Sequence, residues 1–281
     1  MKYLVLYHAN CTDGFGAAYA AWKALGDVDI EYVAVNYGEE PPDVTGKAVY
    51  ILDFSYPKEV LEKMAEQSEF VTMLDHHKTA FEDLGFPNVD AVTFSSGKLN
   101  VHLDRNRSGA MLAWLHFHGA PAPLIINWID DYDRWQFAFS ESKAFHKGVW
   151  AMAPWSFEQW RVMNPNTVVE QGKLLLADHD KKVQQLAKEA INCLIFTHSG
   201  LAANAPSFFA SDLGHVLANR SGTYGLVWNV LGNGQVQCSL RSNGDYDVSA
   251  IAKRFGGGGH KNAAGMRVDM NSLIEFLCSN S

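Results

Sequence analysis

The sequence predicts an α/β protein of two domains: an N-terminal domain on a parallel sheet with helices on both faces, and a smaller C-terminal α/β domain, with a cleft between them for an active site. Three observations predict it. Short apolar runs alternate with helical patterns over the first 80 residues, the order expected of parallel strands joined by right-handed crossovers. The 281 residues and 47% hydrophobic content are enough to fill more than one core. A long polar helical pattern, Thr167 to Ala190, follows the first domain without a strong second apolar face, as a connector would. The expected boundaries are 1–166, a connecting helix 167–190, and 191–281.

In chain order, Lys2 to Tyr7 is an apolar strand, and Gly14 to Leu25 is an Ala-rich helix with Phe15, Ala18, Tyr19 and Trp22 at helical spacing. Ile30 to Val35 alternates as a strand, Ala48 to Leu52 is apolar, Pro57 to Gln67 is helical with proline near its start, and Phe70 to Leu74 is apolar again. Ser108 to Phe117 is helical; Gly119 to Pro123 breaks the chain before a second apolar helix that ends in Asp130, Asp131 and Asp133. Beyond the connector, Leu194 to Thr197, Gly225 to Leu231 and Val236 to Leu240 read as strands, Val248 to Phe255 as a helix, and Gly256 to Gly259 as a glycine run.

Charge narrows the function classes. The net charge of −8 argues against coating long duplex nucleic acid, which needs a broadly basic surface. From Ile191 onward six Lys and Arg face five Asp and Glu, so the acidity lies in the preceding part of the chain. An acidic lobe suits a cation and a near-neutral lobe with a few arginines suits a small anion. No run of about 18 apolar residues exists and Met1 to Tyr7 lacks export features, so no membrane contact and a cytoplasmic location are expected. Cys11, Cys193, Cys238 and Cys278 are too dispersed for a zinc ribbon or a disulfide framework, and are expected to be thiols.

The polar residues fall where the strands end. The apolar runs lead into His8, then Asp53, then Asp75, His76 and His77. Open parallel sheets bind ligands outside the carboxyl ends of their strands, so these groups can converge. Asp13 or Asp53 alone could be a helix cap, although a carboxylate at the end of the apolar run Ile51-Leu52 is costly to bury without a cation or donor. Asp75-His76-His77, one acid and two adjacent imidazoles, is the sharpest signal. Carboxylates with imidazole suit Mn²⁺, with Mg²⁺ or Co²⁺ as alternatives, better than thiolate-rich sets do. Two such ions about 3.5 to 4 Å apart would activate water and neutralise phosphoryl oxygens. Further ligands must come from elsewhere, with Asp131 the choice in Asn127 to Trp135 and Asp130 close behind. In the C-terminal part, Gly256 to Gly259 with His260 and Lys261 can cradle a phosphate or form a flexible loop, and Arg241-Ser242 can hold an anion or a surface ion pair.

Together these residues resemble the DHH/DHHA1 phosphoesterases over nearly the whole chain. Asp13-Gly14 is similar to the first motif, Asp53 to the second, Asp75-His76-His77 to the third, and Asp131 to the fourth, while Arg241-Ser242 and Gly256 to His260 are similar to the DHHA1 substrate-binding motifs. The resemblance implies Asp13, Asp53, His76 and Asp131 as metal ligands, with Asp53 and Asp131 bridging and His8 as a further ligand. It implies His77, with Asp75 and Asp53, in catalysis, His77 stabilising phosphoryl charge. It implies Arg241, Ser242, Gly257, Gly258, Gly259 and His260 at the substrate.

One departure stands out: the commoner first motif has His followed by Asp-x-Asp-Gly, whereas here Cys11 occupies the first Asp position and His8 sits one residue nearer to Asp13. Two ions remain the expectation, with Cys11 a candidate softer ligand. The leading function is Mn²⁺-dependent hydrolysis of phosphodiester bonds in small nucleotides, dinucleotides or short oligonucleotides. The alternatives are a pyrophosphatase or exopolyphosphatase and a catalytically silent nucleotide-binding module. Base preference, cleavage polarity and oligomeric state, a homodimer included, stay open.

Overall fold

A computed structural model describes residues 2–119 and 121–278. The chain divides into two compact units, Met1–Leu176 and Ala177–Ser281. The division falls inside the long helix that the sequence marks as a connector.

The first unit runs β1 (Tyr3–His8), α1 (Thr12–Leu25), β2 (Ile30–Val35), β3 (Ala48–Leu52), α2 (Lys58–Gln67), β4 (Phe70–Asp75), α3 (Lys78–Asp83), β5 (Ala91–Ser96), β6 (Leu99–Asp104), α4 (Gly109–His118), α5 (Leu124–Asp133), α6 (Ser142–Ala151) and α7 (Phe157–Val162), and ends in the first half of α8 (Pro165–Lys188). Its six strands form one sheet in the order β2-β1-β3-β4-β6-β5. All neighbours are parallel except β5 and β6, an antiparallel hairpin turned at Gly97 with φ 59°. The sequence reading passed over that hairpin. As an edge strand rich in Thr and Ser, β5 exposes alternate residues and never builds a continuous apolar run.

Side-chain alternation along the strands divides the core in two. Val5, Leu52 and Leu74 face α1, α4 and α5, whereas Leu4, Leu6, Ile51 and Met73 face α2 and α3. Small residues bring α1 and α4 close together: Ala17, Ala20 and Ala21 share a core with Ala110 and Ala113, and a Cβ on Gly16 would come within 3.0 Å of Ala110. Because β1 is flanked by β2 on one side and β3 on the other, the chain reverses its direction of progress across the sheet there, and the gap beyond their carboxyl ends is a topological switch point.

The second unit continues α8 into β7 (Ile191–Ile195), β8 (His198–Asn204), α9 (Ala210–Ser221), β9 (Tyr224–Val230), β10 (Val236–Ser242), α10 (Val248–Lys253), β11 (Gly258–His260), β12 (Ala263–Val268) and α11 (Met270–Cys278). Its sheet has the order β11-β12-β10-β9-β8-β7, and only β8 and β9 are parallel. Val183, Ala187, Leu213 and Leu217 of α8 and α9 cover one face; Ile251 and Phe276 of α10 and α11 cover the other. Among the described residues no helix is long and apolar enough to cross a membrane.

Candidate metal centre

At the switch point β1 ends in His8, β3 runs into Asp53, and β4 ends in Asp75 before His76 and His77. His76 is the hub. Its Nε2 lies 3.2 Å from Asp53 Oδ1, 3.6 Å from Asp13 Oδ2 and 3.5 Å from Asp133 Oδ2. His8 Nδ1 lies 3.5 Å from Asp53 Oδ2. Three overlapping groups of donor atoms result, each within 4.8 Å: Asp53, Asp75, His76 and His77; His8, Cys11 and Asp53; and Asp13, His76 and Asp133. Asp53 belongs to two of them, as a carboxylate between two cations would.

The burial of this cluster suits a positive charge at its centre. His8 Nδ1, both oxygens of Asp53, Asp75 Oδ2 and His76 Nε2 are buried and make no hydrogen bond, a state that costs several kcal/mol unless a cation fills it. Electrostatics point the same way. Burial, then the carboxylates of Asp53 and Asp133, push Asp13 well above the usual carboxylate range. Burial acts against the ionised form of Asp53 as well, but the imidazoles of His76 and His8 outweigh it and hold this carboxyl low. His76 shows the converse: burial opposes its protonation, yet Asp133, Asp53 and Asp13 push its pKa well above 6.5. These donors, oxygen and imidazole with one sulfur, suit divalent cations.

Local backbone geometry brings the groups together. Asp53 adopts φ 65°, a left-handed conformation rare outside glycine, which turns its carboxylate off the end of β3. Gly14 lets α1 start against β1, since a Cβ there would lie 2.2 Å from the carbonyl oxygen of His8. Asp13 does not cap its own helix. It accepts hydrogen bonds from Gly109 N at 2.6 Å and Ala110 N at 2.8 Å, the first turn of α4. Asp75 is fully buried and its Oδ1 accepts from His76 N at 2.8 Å, from His77 N at 3.3 Å and lies 2.7 Å from His77 Nδ1, so it fixes the His77 ring. Burial opposes a charge on His77 too, but Asp75 raises its pKa.

Of the three acids at the end of α5, the structure brings Asp133 to His76 and gives Asp131, the choice from the sequence, other partners. Asp131 is buried, accepting from Ala138 N at 2.7 Å, from Phe139 N at 3.2 Å and from the Ser142 hydroxyl, so it organises the loop into α6. Asp133, two residues on and about 200° around the helix, is the acid that reaches His76. Asp130 accepts from Ser108 N at 2.7 Å and from Arg134 at 3.2 Å, tying α5 to the start of α4. The sequence reading also missed Tyr37, half exposed, which packs edge-on against His8 with ring centroids 5.1 Å apart and against His77 at 6.0 Å. It sits in the turn that Glu39 closes onto Asn36, and only that turn brings it to the histidines.

Residues 183–279 match the DHHA1 domain family. The second unit therefore carries a DHHA1 domain. The chain is 29% identical over 94% of its length to uncharacterized protein R106 of Acanthamoeba polyphaga mimivirus, and 26% identical over 94% to the oligoribonuclease NrnB of Bacillus subtilis. It spans 66% and 72% of those two proteins. Its fold is similar to the pGpG-specific phosphodiesterase PggH of Vibrio cholerae, with a TM-score of 0.52, 13% identity, and coverage of 97% of this chain and 95% of that one. It is also similar to exonuclease RecJ bound to manganese, with a TM-score of 0.50, 13% identity, and coverage of 96% and 86%.

Within the DHHA1 domain, Arg241 lies near the end of β10, donating from Nη2 to Ser211 Oγ at 2.9 Å and from Nη1 to the carbonyl of Leu240 at 2.9 Å. Its stem packs over Gly214, where a Cβ would come within 2.7 Å of it. Ser242 is fully buried; its hydroxyl donates to Tyr246 O at 2.6 Å and accepts from Asn262 at 3.0 Å, tying the end of β10 to the turn that precedes β12. The glycine run is not a loose loop. Gly256 turns the chain at φ 72°, and Gly258–His260 pairs with β12 as β11. A Cβ at Gly257 would lie 2.2 Å from Gly265 O, whereas one at Gly258 would meet open space.

Proposed function

We propose that the chain is a divalent-cation-dependent phosphodiesterase that hydrolyses small nucleotides, dinucleotides or short oligonucleotides, working with Mn²⁺ in a reducing, cytoplasmic setting. The observation that carries this reading is the convergence of Asp13, Asp53 and Asp133 on His76 Nε2 within 3.6 Å, with buried donor atoms around it that make no hydrogen bond. The names of the relatives, an oligoribonuclease and a dinucleotide phosphodiesterase, support short nucleotide substrates. Four free cysteines fit the reducing compartment.

Divalent cations held by His8, Asp13, Asp53, His76 and Asp133 would supply Lewis acidity toward water and the phosphoryl oxygens. The chain's own groups do the rest. Asp75 anchors Nδ1 of His77 and favours its protonated form, which places a positive edge beside the cation cluster, where charge on a phosphoryl group grows. Asp53, whose pKa is held low and whose left-handed turn brings its carboxylate to the cluster, would offer such ions two oxygens. In the DHHA1 domain Arg241 and the Gly257 to His260 segment would bind a phosphate or base of the substrate.

The test is incubation of purified protein and Mn²⁺ with a diguanylate dinucleotide, reading release of mononucleotide. Loss of release in EDTA, a large fall in kcat in His77→Ala and a raised KM in Arg241→Ala are expected. Equal turnover in EDTA rejects the metal mechanism, and preferential cleavage of pyrophosphate reassigns the enzyme to anhydride hydrolysis.

A further inference from the structure

Cys11 occupies an unusual position. It is the residue preceding the first turn of α1, where Ser, Thr, Asp or Asn would accept hydrogen bonds from the helix N–H groups, and its side chain caps nothing. Instead the sulfur lies within 4.8 Å of donor atoms of both His8 and Asp53. Asn10, at φ 54°, turns the chain between β1 and α1 just ahead of it. A thiol beside carboxylates gains little there on its own. Asp53, with its side chain 1% exposed and neither oxygen hydrogen-bonded, points into the same space, as does the buried Nδ1 of His8. Three different ligand types therefore face one point: an imidazole nitrogen, a sulfur and a carboxylate oxygen.

From this geometry we infer that Cys11 is a metal ligand, and that His8, Cys11 and Asp53 form a thiophilic cation position distinct in chemistry from the oxygen and imidazole position of Asp13, His76 and Asp133. Ligation replaces the thiol proton, which leaves to solvent. Sulfur favours borderline and soft cations, Zn²⁺, Co²⁺ and Fe²⁺, over Mg²⁺ and Mn²⁺, so the two positions take up different ions from a mixture. Asp53 belongs to both the thiophilic group and the Asp75-His76-His77 group, and links them. This inference rests on the cation-binding part of the proposed function and not on its substrate.

Cobalt is the probe, because a thiolate bound to Co²⁺ gives a near-ultraviolet charge-transfer band that oxygen and nitrogen ligands do not. The full chain carrying Cys278→Ser removes the exposed cysteine, and Cys193 and Cys238 are buried in the second unit. Titration with Co²⁺ should produce the band, and Cys11→Asp and Cys11→Ser should each lose it while still binding the ion. Cys11→Asp should also weaken Zn²⁺ binding by at least about tenfold without weakening Mn²⁺ binding. A band that is absent from the parent at saturating Co²⁺, or that persists in Cys11→Asp, overturns the inference. Should both variants fail to fold, alkylation of Cys11 in the parent decides: slowing by Zn²⁺ but not by Mg²⁺ supports ligation, and equal rates reject it. The cobalt band reads ligation without turnover, so a band without hydrolysis of any nucleotide removes the proposed function and leaves this inference standing. Hydrolysis without a band does the reverse.

Discussion

Gly109 and Asp53 touch at a point where no side chain fits: a Cβ on Gly109 would lie 2.4 Å from the Cβ of Asp53 and 2.5 Å from its Oδ1. The first turn of α4, which donates to Asp13, and the left-handed turn that carries Asp53 are therefore set against each other by the absence of one methyl group.

Gly109→Ala is expected to displace Asp53 or open α4 away from Asp13. Overpacking of this kind costs roughly 1–3 kcal/mol of stability, and the Kd for Mn²⁺ should rise by at least about tenfold. Thermal melts and calorimetric titration with Mn²⁺ check both; wild-type values for both would show that α4 does not order the centre.

Asp133 and Asp131 should separate cleanly. Asp133→Asn is expected to weaken Mn²⁺ binding while leaving the melting temperature unchanged or higher, because it removes a carboxylate from a crowd of them. Asp131→Asn disrupts acceptors for two backbone N–H groups and a hydroxyl and should cost about 1–3 kcal/mol of stability. The opposite pattern, a stable Asp131→Asn that cannot hold the ion, would restore Asp131 as the ligand.

His77→Ala should lower kcat by about 10²- to 10³-fold, the usual loss for a group aimed at developing charge. Asp75→Asn should move the alkaline limb of the pH–rate profile to lower pH. The sign follows from the shift: Asp75 raises the pKa of His77, so removing its charge lets the imidazole lose its proton sooner. An unmoved limb would mean that protonated His77 takes no part in turnover.

Removal of cations should lower stability, by about 2.7 kcal/mol relative to protein with the ion at a hundred times its Kd. Affinity for Mn²⁺ should fall as pH falls, since Asp13 and His76 hold protons that the ion must displace. Calorimetry in two buffers of different ionisation enthalpy measures that release, and a heat independent of buffer contradicts it.

The strand ends were legible in the sequence because each apolar run stops at a polar residue: Tyr7 before His8, Leu52 before Asp53, Leu74 before Asp75. Local patterning therefore determined the parallel core of the first sheet, the helices that follow Asp13 and Asp53 and the order in which the acids arrive. It could not decide between Asp130, Asp131 and Asp133, which share one helix and differ only in the direction each faces. That choice belongs to tertiary packing, where α5 lies against α4 and turns Asp133 toward His76 while the loop into α6 takes Asp131. The same holds for Gly109, Asp130 and Tyr37, whose roles arise from contacts across 22 to 97 residues of chain or from a turn away from any motif. The hairpin at β5 and β6 and the strand hidden in the glycine run are defined by cross-strand pairing, β6 onto β4 and β11 onto β12, which the periodicity of a single segment does not record. What the sequence by itself determined was the chemical inventory and its placement at strand ends; which of those groups meet in one cluster was decided by long-range packing, because distance in space is set by the fold and not by spacing along the chain.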